Sequence, residues 1–127
     1  NYKCSPGVPS DIYRIEHKKV VLISLRKEYG IGDLEEFNIE WDIKNGFPAK
    51  VESWGTEIIH PTNHLKVTII FPPTRPPTRA FIIQSNNRKY SNLNFDDILQ
   101  LPDGRWQLKW ENRHLNLNES YTLEWYW

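Results

Sequence analysis

The side chains best suited to bind a ligand lie in an acid-free stretch in the middle of the chain. Residues 58–95 contain five cations and no aspartate or glutamate, a net charge of +5. The cations are Lys66, Arg75, Arg79, Arg88 and Lys89. Arginine suits such a site because its planar guanidinium donates two parallel hydrogen bonds to a phosphate or a carboxylate. We therefore predict a site for a phosphate-bearing ligand or an acidic partner, with candidate residues Arg75, Arg79, Arg88 and Lys89.

An acidic stretch precedes the basic one and offers a different explanation for it. Residues 28–57 contain eight acids against two lysines, a net charge of −6. If adjacent strands place the two stretches opposite each other, cross-strand ion pairs neutralise both. This alternative predicts that each cation lies beside an acid. The acids concerned are Glu35, Glu40, Glu52 and Glu57.

A tetrapeptide repeat, Pro-Pro-Thr-Arg twice over residues 72–79, carries two of the candidate arginines. Proline fixes φ and lacks a backbone donor, so the repeat predicts an extended polyproline II segment. Pro73 and Pro76 match the bare P-x-x-P pattern, but neither flank has the arginine that SH3 ligands use. We favour a stiff connection that blocks edge-to-edge strand pairing over a docking peptide.

Residues that could support catalysis or bind a metal do not form a recognisable set. His60 and His64 lack a nearby third ligand, which a zinc site requires. Asp96 and Asp97 are adjacent and fit the start of a helix. Cys4 lies in the proline-rich lead-in, without a basic motif that would mark it as a reactive nucleophile. There is no glycine-rich phosphate loop and no G-x-S-x-G motif. We expect no enzymatic activity, no cofactor and no metal.

Six tryptophans could form a core or a stacking platform for a carbohydrate. Four of them share their strand phase with aliphatic residues, which predicts burial. These four are Trp41, Trp106, Trp110 and Trp125. Trp54, beside Gly55, and Trp127 are predicted to be exposed, so Trp54 joins the candidate binding residues.

The elements that must position these residues are strands. Residues 37–43 predict a half-buried strand, because Phe37, Ile39, Trp41 and Ile43 alternate with polar residues. The alternating runs at 106–111 and 121–127 predict two antiparallel neighbours. Seven or eight strands with frequent turns indicate an all-β antiparallel sandwich, with a small β-barrel as the alternative. One short helical turn is predicted near residues 94–99, with Asn94 as its cap.

The spacing of Leu115, Leu117 and Tyr121 resembles the tyrosine corner of immunoglobulin-like and fibronectin type III β-sandwiches. The resemblance implies that the Tyr121 hydroxyl binds backbone near residues 115–117. It also implies a scaffolding or interaction role. That family normally adds a strand after the corner strand, whereas this sequence ends at Trp127.

Size and composition favour one domain and exclude some partners. The 127 residues contain 16 basic and 16 acidic side chains, so net charge gives no support for binding duplex nucleic acid. A single cysteine excludes an internal disulfide and favours the cytoplasm, and no apolar run is long enough for a membrane segment. The sequence opens on Asn1, which suggests part of a longer protein. We expect a lead-in over residues 1–10 and one β-sandwich domain over residues 11–127.

These features predict a non-catalytic interaction or regulatory domain that contacts a protein partner or other domains of its own chain. A second hypothesis is a ligand-sensing domain that binds a nucleotide or another phosphate-bearing molecule through residues 58–95. A third is a carbohydrate-binding module that uses Trp54 and Trp127.

Overall fold

The computed structural model describes residues 2–16, 18–93 and 95–127, and these form an all-β structure. Their strands pair antiparallel in four sheets, none of which closes into a barrel, so the predicted fold class is confirmed. The strands are β1 (Tyr2–Ser5), β2 (Val8–Ile15), β3 (Lys18–Ser24), β4 (Asn38–Trp41), β5 (Val51–Glu57), β6 (Leu65–Phe71), β7 (Arg79–Gln84), β8 (Lys89–Asn92), β9 (Ile98–Gln100), β10 (Trp106–Asn112) and β11 (Ser120–Tyr126). No helix in the described part of the chain is long and apolar enough to cross a membrane.

The chain forms two compact units, Asn1–Gly46 and Phe47–Trp127. The sequence analysis instead placed a boundary after residue 10. That segment is not a loose lead-in, because β1 occupies it and pairs with β4, and β2 begins at Val8. Pro6 and Gly7 form a bend between β1 and β2.

The first unit consists of two antiparallel ladders, β1 with β4 and β2 with β3. Only Trp41 of the predicted half-buried strand is partly covered, and its ring stacks on that of Tyr2 at 5.9 Å. Phe37, Ile39 and Ile43 remain about half exposed. The prediction of a half-buried strand over 37–43 is therefore wrong: the strand covers four residues, and β1 is its one pairing partner in the described part of the chain.

The second unit is a sandwich of two sheets. One sheet has the strand order β6–β10–β9, and the other has the order β5–β11–β7–β8. Alternate residues of each strand point inward because a strand's side chains alternate between its faces. The buried core between the sheets is Val67, Phe71, Ala80, Ile82, Leu108, Leu123 and Trp125.

Trp125 lies at the centre of this core and has no exposed surface. The edges of Phe47 and Phe71 meet its ring at centroid distances of 5.1 Å and 5.6 Å. Trp106 and Trp110 are half-buried and pack against the same cluster. Burial of the predicted core tryptophans is therefore complete for Trp125 and partial for the others.

The two last strands are not neighbours, contrary to the prediction. β10 pairs with β6 and β9, whereas β11 pairs with β5 and β7. The connection of residues 113–119 carries the chain from one sheet to the other, so the two strands face each other across the core. Alternation along each strand was predicted correctly, but alternation does not specify the pairing partner.

The predicted helical turn is shorter than expected. A 3₁₀ helix covers Phe95–Asp97, and Ile98 and Leu99 belong to β9. Pairing of β9 with β10 explains the early end, since Ile98 lies opposite Leu108. Asn94, the predicted cap, lies outside the described residues.

The connection between β10 and β11 contains the predicted tyrosine-corner bond. The Tyr121 hydroxyl accepts a hydrogen bond from the backbone N–H of Asn116 at 3.0 Å. Tyr121 is buried, and its ring lies against that of Trp110 at 5.7 Å. The hydrogen-bond prediction is confirmed, and the bond ties the crossover to the start of β11.

The strand phase of β6 predicts opposite outcomes for two adjacent substitutions. Phe71→Ala empties a site that is 2% exposed, and should lower the free energy of unfolding by about 3–5 kcal/mol. Ile70→Ala, at a site that is 42% exposed, should cost less than about 1 kcal/mol. Urea titrations of both variants measure the difference. Equal losses would contradict the assigned phase.

The corner bond predicts that Tyr121→Phe destabilises the protein by about 1–3 kcal/mol, because a buried hydrogen bond is lost. Tyr126→Phe on the same strand is the matched control, since its side chain lies on the outer face. We expect the control to change stability by less than about 0.5 kcal/mol. Thermal melts of the two variants measure these changes in stability. If Tyr121→Phe is as stable as wild type, the bond from Tyr121 to the crossover does not stabilise the fold.

Candidate functional site

Arg75, the first candidate residue, binds other residues of the second unit. Its guanidinium donates hydrogen bonds to the carbonyl oxygens of Phe47 at 2.7 Å and Ala49 at 3.2 Å. It also stacks on the ring of Trp127, 3.9 Å from the centroid. Arg75 therefore fastens the start of this unit to the end of the chain.

The proline repeat holds Arg75 in that position by turning. The Arg75 backbone N–H donates to the carbonyl of Pro72 at 3.1 Å, which closes a tight turn. Pro77 further along is buried. A polyproline II conformation throughout residues 72–79 was therefore the wrong prediction for the first repeat, although the repeat does connect two strands in different sheets.

Arg79 lies on a different face from Arg75. It begins β7 opposite Tyr126, and its guanidinium lies 4.2 Å from the Tyr126 ring centroid and 5.6 Å from that of Phe81. Tyr126 points outward, whereas Trp127 packs against the core. The two arginines of the repeat consequently do not converge.

Arg88 and Lys89 lie at the far end of β7. Arg88 is exposed in the turn between β7 and β8 and has a left-handed backbone with φ of 51°. Lys89 pairs with Gln84. Gln84 is five residues from Arg79, or about 16 Å along a strand. The structure thus separates all four predicted cations into three places.

Neutralisation by the predicted acids is not seen either. Within the described residues, none of the four cations forms an ion pair with an acid of the preceding stretch. Glu40 pairs with Lys3, and Glu35 pairs with Lys27. Glu52 instead accepts a hydrogen bond from the backbone N–H of Ala49.

Trp54 and Trp127 do not form an exposed platform. Trp54 lies opposite Leu123 on the inward face of β5, and both tryptophans are half-buried against the core. The ring of Trp127 is covered on one face by Arg75. The predicted exposure of these two residues is therefore wrong, because each shares the inward phase of its strand.

A cluster that the sequence analysis missed lies on the outer face of the four-stranded sheet. Phe81 of β7 lies 4.7 Å from Tyr90 of β8 and 5.6 Å from Tyr126 of β11, measured between ring centroids. Arg79 lies over two of these rings. We call the four residues Arg79, Phe81, Tyr90 and Tyr126 the aromatic face. Its members are 47 positions apart in sequence at most, and only strand order brings them together.

The aromatic face combines apolar rings with polar groups. Tyr90 is 54% exposed. Partial desolvation, followed by the proximity of Tyr126 and Glu124, raises the pKa of Tyr90, while Arg79 acts in the opposite direction. The Tyr90 hydroxyl therefore stays protonated at neutral pH and is available as a hydrogen-bond donor.

A pocket of about 240 Å³ borders the aromatic face. Its lining includes Arg79 and Phe81 together with Thr78 and Asn92. The remaining lining residues, Ala80, Leu93 and Ile98, are apolar. The pocket therefore offers an apolar surface next to a cation.

His64, one of the two histidines considered in the sequence, has a carboxylate partner on β10, the strand that pairs with β6. His64 Nε2 lies 2.7 Å from Glu111 Oε1, which also accepts from Arg113 at 3.0 Å. The hydrogen bond to His64 is the main reason that the pKa of Glu111 is lowered. His60 is exposed, and no group of three or more metal-ligating side chains occurs among the described residues.

Comparison of the chain with protein-family models, with curated proteins and with solved structures finds no match.

Glu119 fixes the turn that carries Arg88 and Lys89. One carboxylate oxygen accepts from the backbone N–H groups of Asn86 and Ser120, both at 2.8 Å, and the other accepts from Asn87 at 3.0 Å. The side chain is only 2% exposed. In the sequence, Glu119 shows no sign of this role, because Asn86 and Asn87 lie more than 30 residues earlier.

The hydrogen bonds to Glu119 predict a pH-dependent contribution to stability. The bond from Asn86 is the main cause that lowers the pKa of Glu119 in the folded state. The contribution is therefore complete above the unfolded pKa of about 4.3 and is lost as pH falls through the lowered folded value. Urea titrations of wild type and Glu119→Gln should differ most near neutral pH and converge in acid. A difference that is constant down to about pH 2 would contradict this assignment.

Proposed function

We propose that the second unit is a non-catalytic protein-binding module with an immunoglobulin-like topology, and that its aromatic face is the binding surface. The observation that carries the proposal is the outward cluster of Arg79, Phe81, Tyr90 and Tyr126 on three neighbouring strands. The partner is another protein or another domain of the same protein. A single cysteine, Cys4, supports a cytoplasmic location.

The strand order supports the immunoglobulin-like topology. In that fold the tyrosine-corner strand lies between two neighbours, one earlier in the chain and one that follows it. Here the corner strand β11 lies between β7 and β5. β5 precedes the other strands of the unit and pairs antiparallel with β11, on the side that the following strand occupies in that fold.

The chemistry of the aromatic face supports protein binding. Interface cores are enriched in tyrosine, phenylalanine and arginine, and most binding energy comes from a few such residues. The rings of this face already pack on one another, and Arg79 already lies on two of them. Association therefore costs little additional side-chain entropy.

The same placements count against the two alternatives. A nucleotide site requires several converging cations, whereas Arg75 is engaged by backbone carbonyls and Lys89 lies at the far end of β7. A carbohydrate platform requires open planar rings, whereas Trp54 and Trp127 pack inward. Protein binding does not depend on either feature.

The test is affinity capture followed by a measured dissociation constant. A protein retained by the wild-type chain is purified and titrated by calorimetry against Arg79→Ala and Tyr90→Ala. We expect each substitution to weaken binding about tenfold or more, because exposed arginine and tyrosine dominate interface energies.

The matched controls are Lys109→Ala and Ile70→Ala, which remove a cation and an apolar side chain from the outer face of the other sheet. These should leave the dissociation constant unchanged. If the controls weaken binding and the aromatic-face variants do not, the binding surface lies elsewhere and the proposal fails.

A further inference from the structure

Arg79 is oriented by aromatic rings and is exposed. The guanidinium lies over Tyr126 and Phe81, and it donates no hydrogen bond to another described residue. A guanidinium has five N–H donors in a fixed plane. Arg79 is therefore held by the rings with its donors accessible to an acceptor from another molecule.

The acidic residue to consider near Arg79 is Glu124 on β11. In the strand register it lies opposite Phe81, two residues before Tyr126, which lies opposite Arg79. Within the described residues it forms no ion pair with Arg79. An incoming carboxylate would thus be attracted by Arg79 and repelled by Glu124, so that the two charges affect its binding with opposite signs.

A carboxylate fits this site better than a phosphate. Phosphate groups are dianionic near neutral pH and are usually bound by several cations. Of the candidate cations, all of which the structure describes, Arg79 alone belongs to the aromatic face, since Arg75 is bound to the carbonyls of Phe47 and Ala49 and Lys89 lies five strand positions away. One planar guanidinium matches one planar carboxylate through two parallel hydrogen bonds.

The adjoining pocket adds an apolar component. Ala80, Leu93 and Ile98 contribute to its lining, and at about 240 Å³ it is large enough for one aliphatic side chain. Because Arg79 also lines the pocket, a bound carboxylate and a bound apolar group would lie close together. In an extended peptide, side chains two residues apart lie on the same side.

We propose that the partner contributes an acidic peptide segment, in which an aspartate or glutamate binds Arg79 and an apolar side chain within two residues enters the pocket. This inference rests on the proposed protein-binding function and specifies the chemistry of the partner.

The experiment selects ligands from a displayed library of random 12-residue peptides with the full chain as bait. The selected peptides should contain an acid within two positions of Leu, Ile, Val or Phe. Dissociation constants are then measured by fluorescence anisotropy for synthetic peptides. Replacing the peptide acid with its amide should weaken binding about tenfold or more.

Three substitutions in the chain provide the decisive comparison. Arg79→Gln should weaken binding about tenfold or more, because a charge-assisted pair is lost. Glu124→Gln should strengthen binding about two- to fivefold, because a repulsive charge is removed. Arg88→Gln changes the net charge of the chain as Arg79→Gln does, but at the end of β7, and should leave binding unchanged. Unaltered melting temperatures would show that each variant keeps its fold.

Several results would overturn the proposal. A library that returns no acidic binder contradicts it, as does an Arg88→Gln effect equal to that of Arg79→Gln. Tighter binding of a phosphoserine peptide than of the matching glutamate peptide would assign the site to phosphate instead. If the selected peptides lack an acid and bind the Tyr90→Ala variant more weakly than wild type, this inference fails but the proposed protein-binding function stands. If neither Tyr90→Ala nor Arg79→Gln changes the dissociation constant of the selected peptides, both proposals fail.

Discussion

Burial of Trp125 between the two sheets is the interaction on which the second unit depends. Its indole is fully covered, with the rings of Phe47, Phe71 and Trp127 around it. The indole N–H groups of Trp125 and Trp127 have no hydrogen-bond partner among the described residues, so ring packing rather than hydrogen bonding stabilises this part of the core. Because β11 must place Trp125 inward, Tyr126 is forced outward, and the core and the aromatic face are set by the same alternation.

The crossover between β10 and β11 carries the chain from one sheet of the sandwich to the other. Tyr121 binds the crossover backbone from one end, and Glu119 binds the turn between β7 and β8 from the same corner. Arg75 performs a similar task at the opposite end of β11, where it covers Trp127 and binds the carbonyl of Phe47. Arg75, which seems available for a ligand in the sequence, is thus used to satisfy backbone carbonyls, whereas Arg79 lies over aromatic rings on an outer face.

The sequence was sufficient for features that depend on local pattern. Alternation predicted strands at 106–111 and 121–127, close to the observed β10 and β11, and the spacing from Leu115 to Tyr121 predicted the corner bond. Pairing was not predictable, because alternation gives a strand its two faces but not its neighbours. The inward placement of Trp54 follows from register, and the separation of Arg75 from Arg79 follows from the turn at Pro72 to Arg75. The aromatic face was missed because its rings come from three strands, β7, β8 and β11. Alternation along the sequence does not show that β8 and β11 both pair with β7.

The central claim is that a partner binds the outer face that β7, β8 and β11 share. Backbone amide chemical shifts of the ¹⁵N-labelled chain, recorded with and without a purified partner or a selected peptide, test it most directly. The account predicts that the largest changes fall within residues 79–83, 90–92 and 122–126. Changes concentrated in residues 66–70 and 107–111, on the outer face of the other sheet, would contradict it.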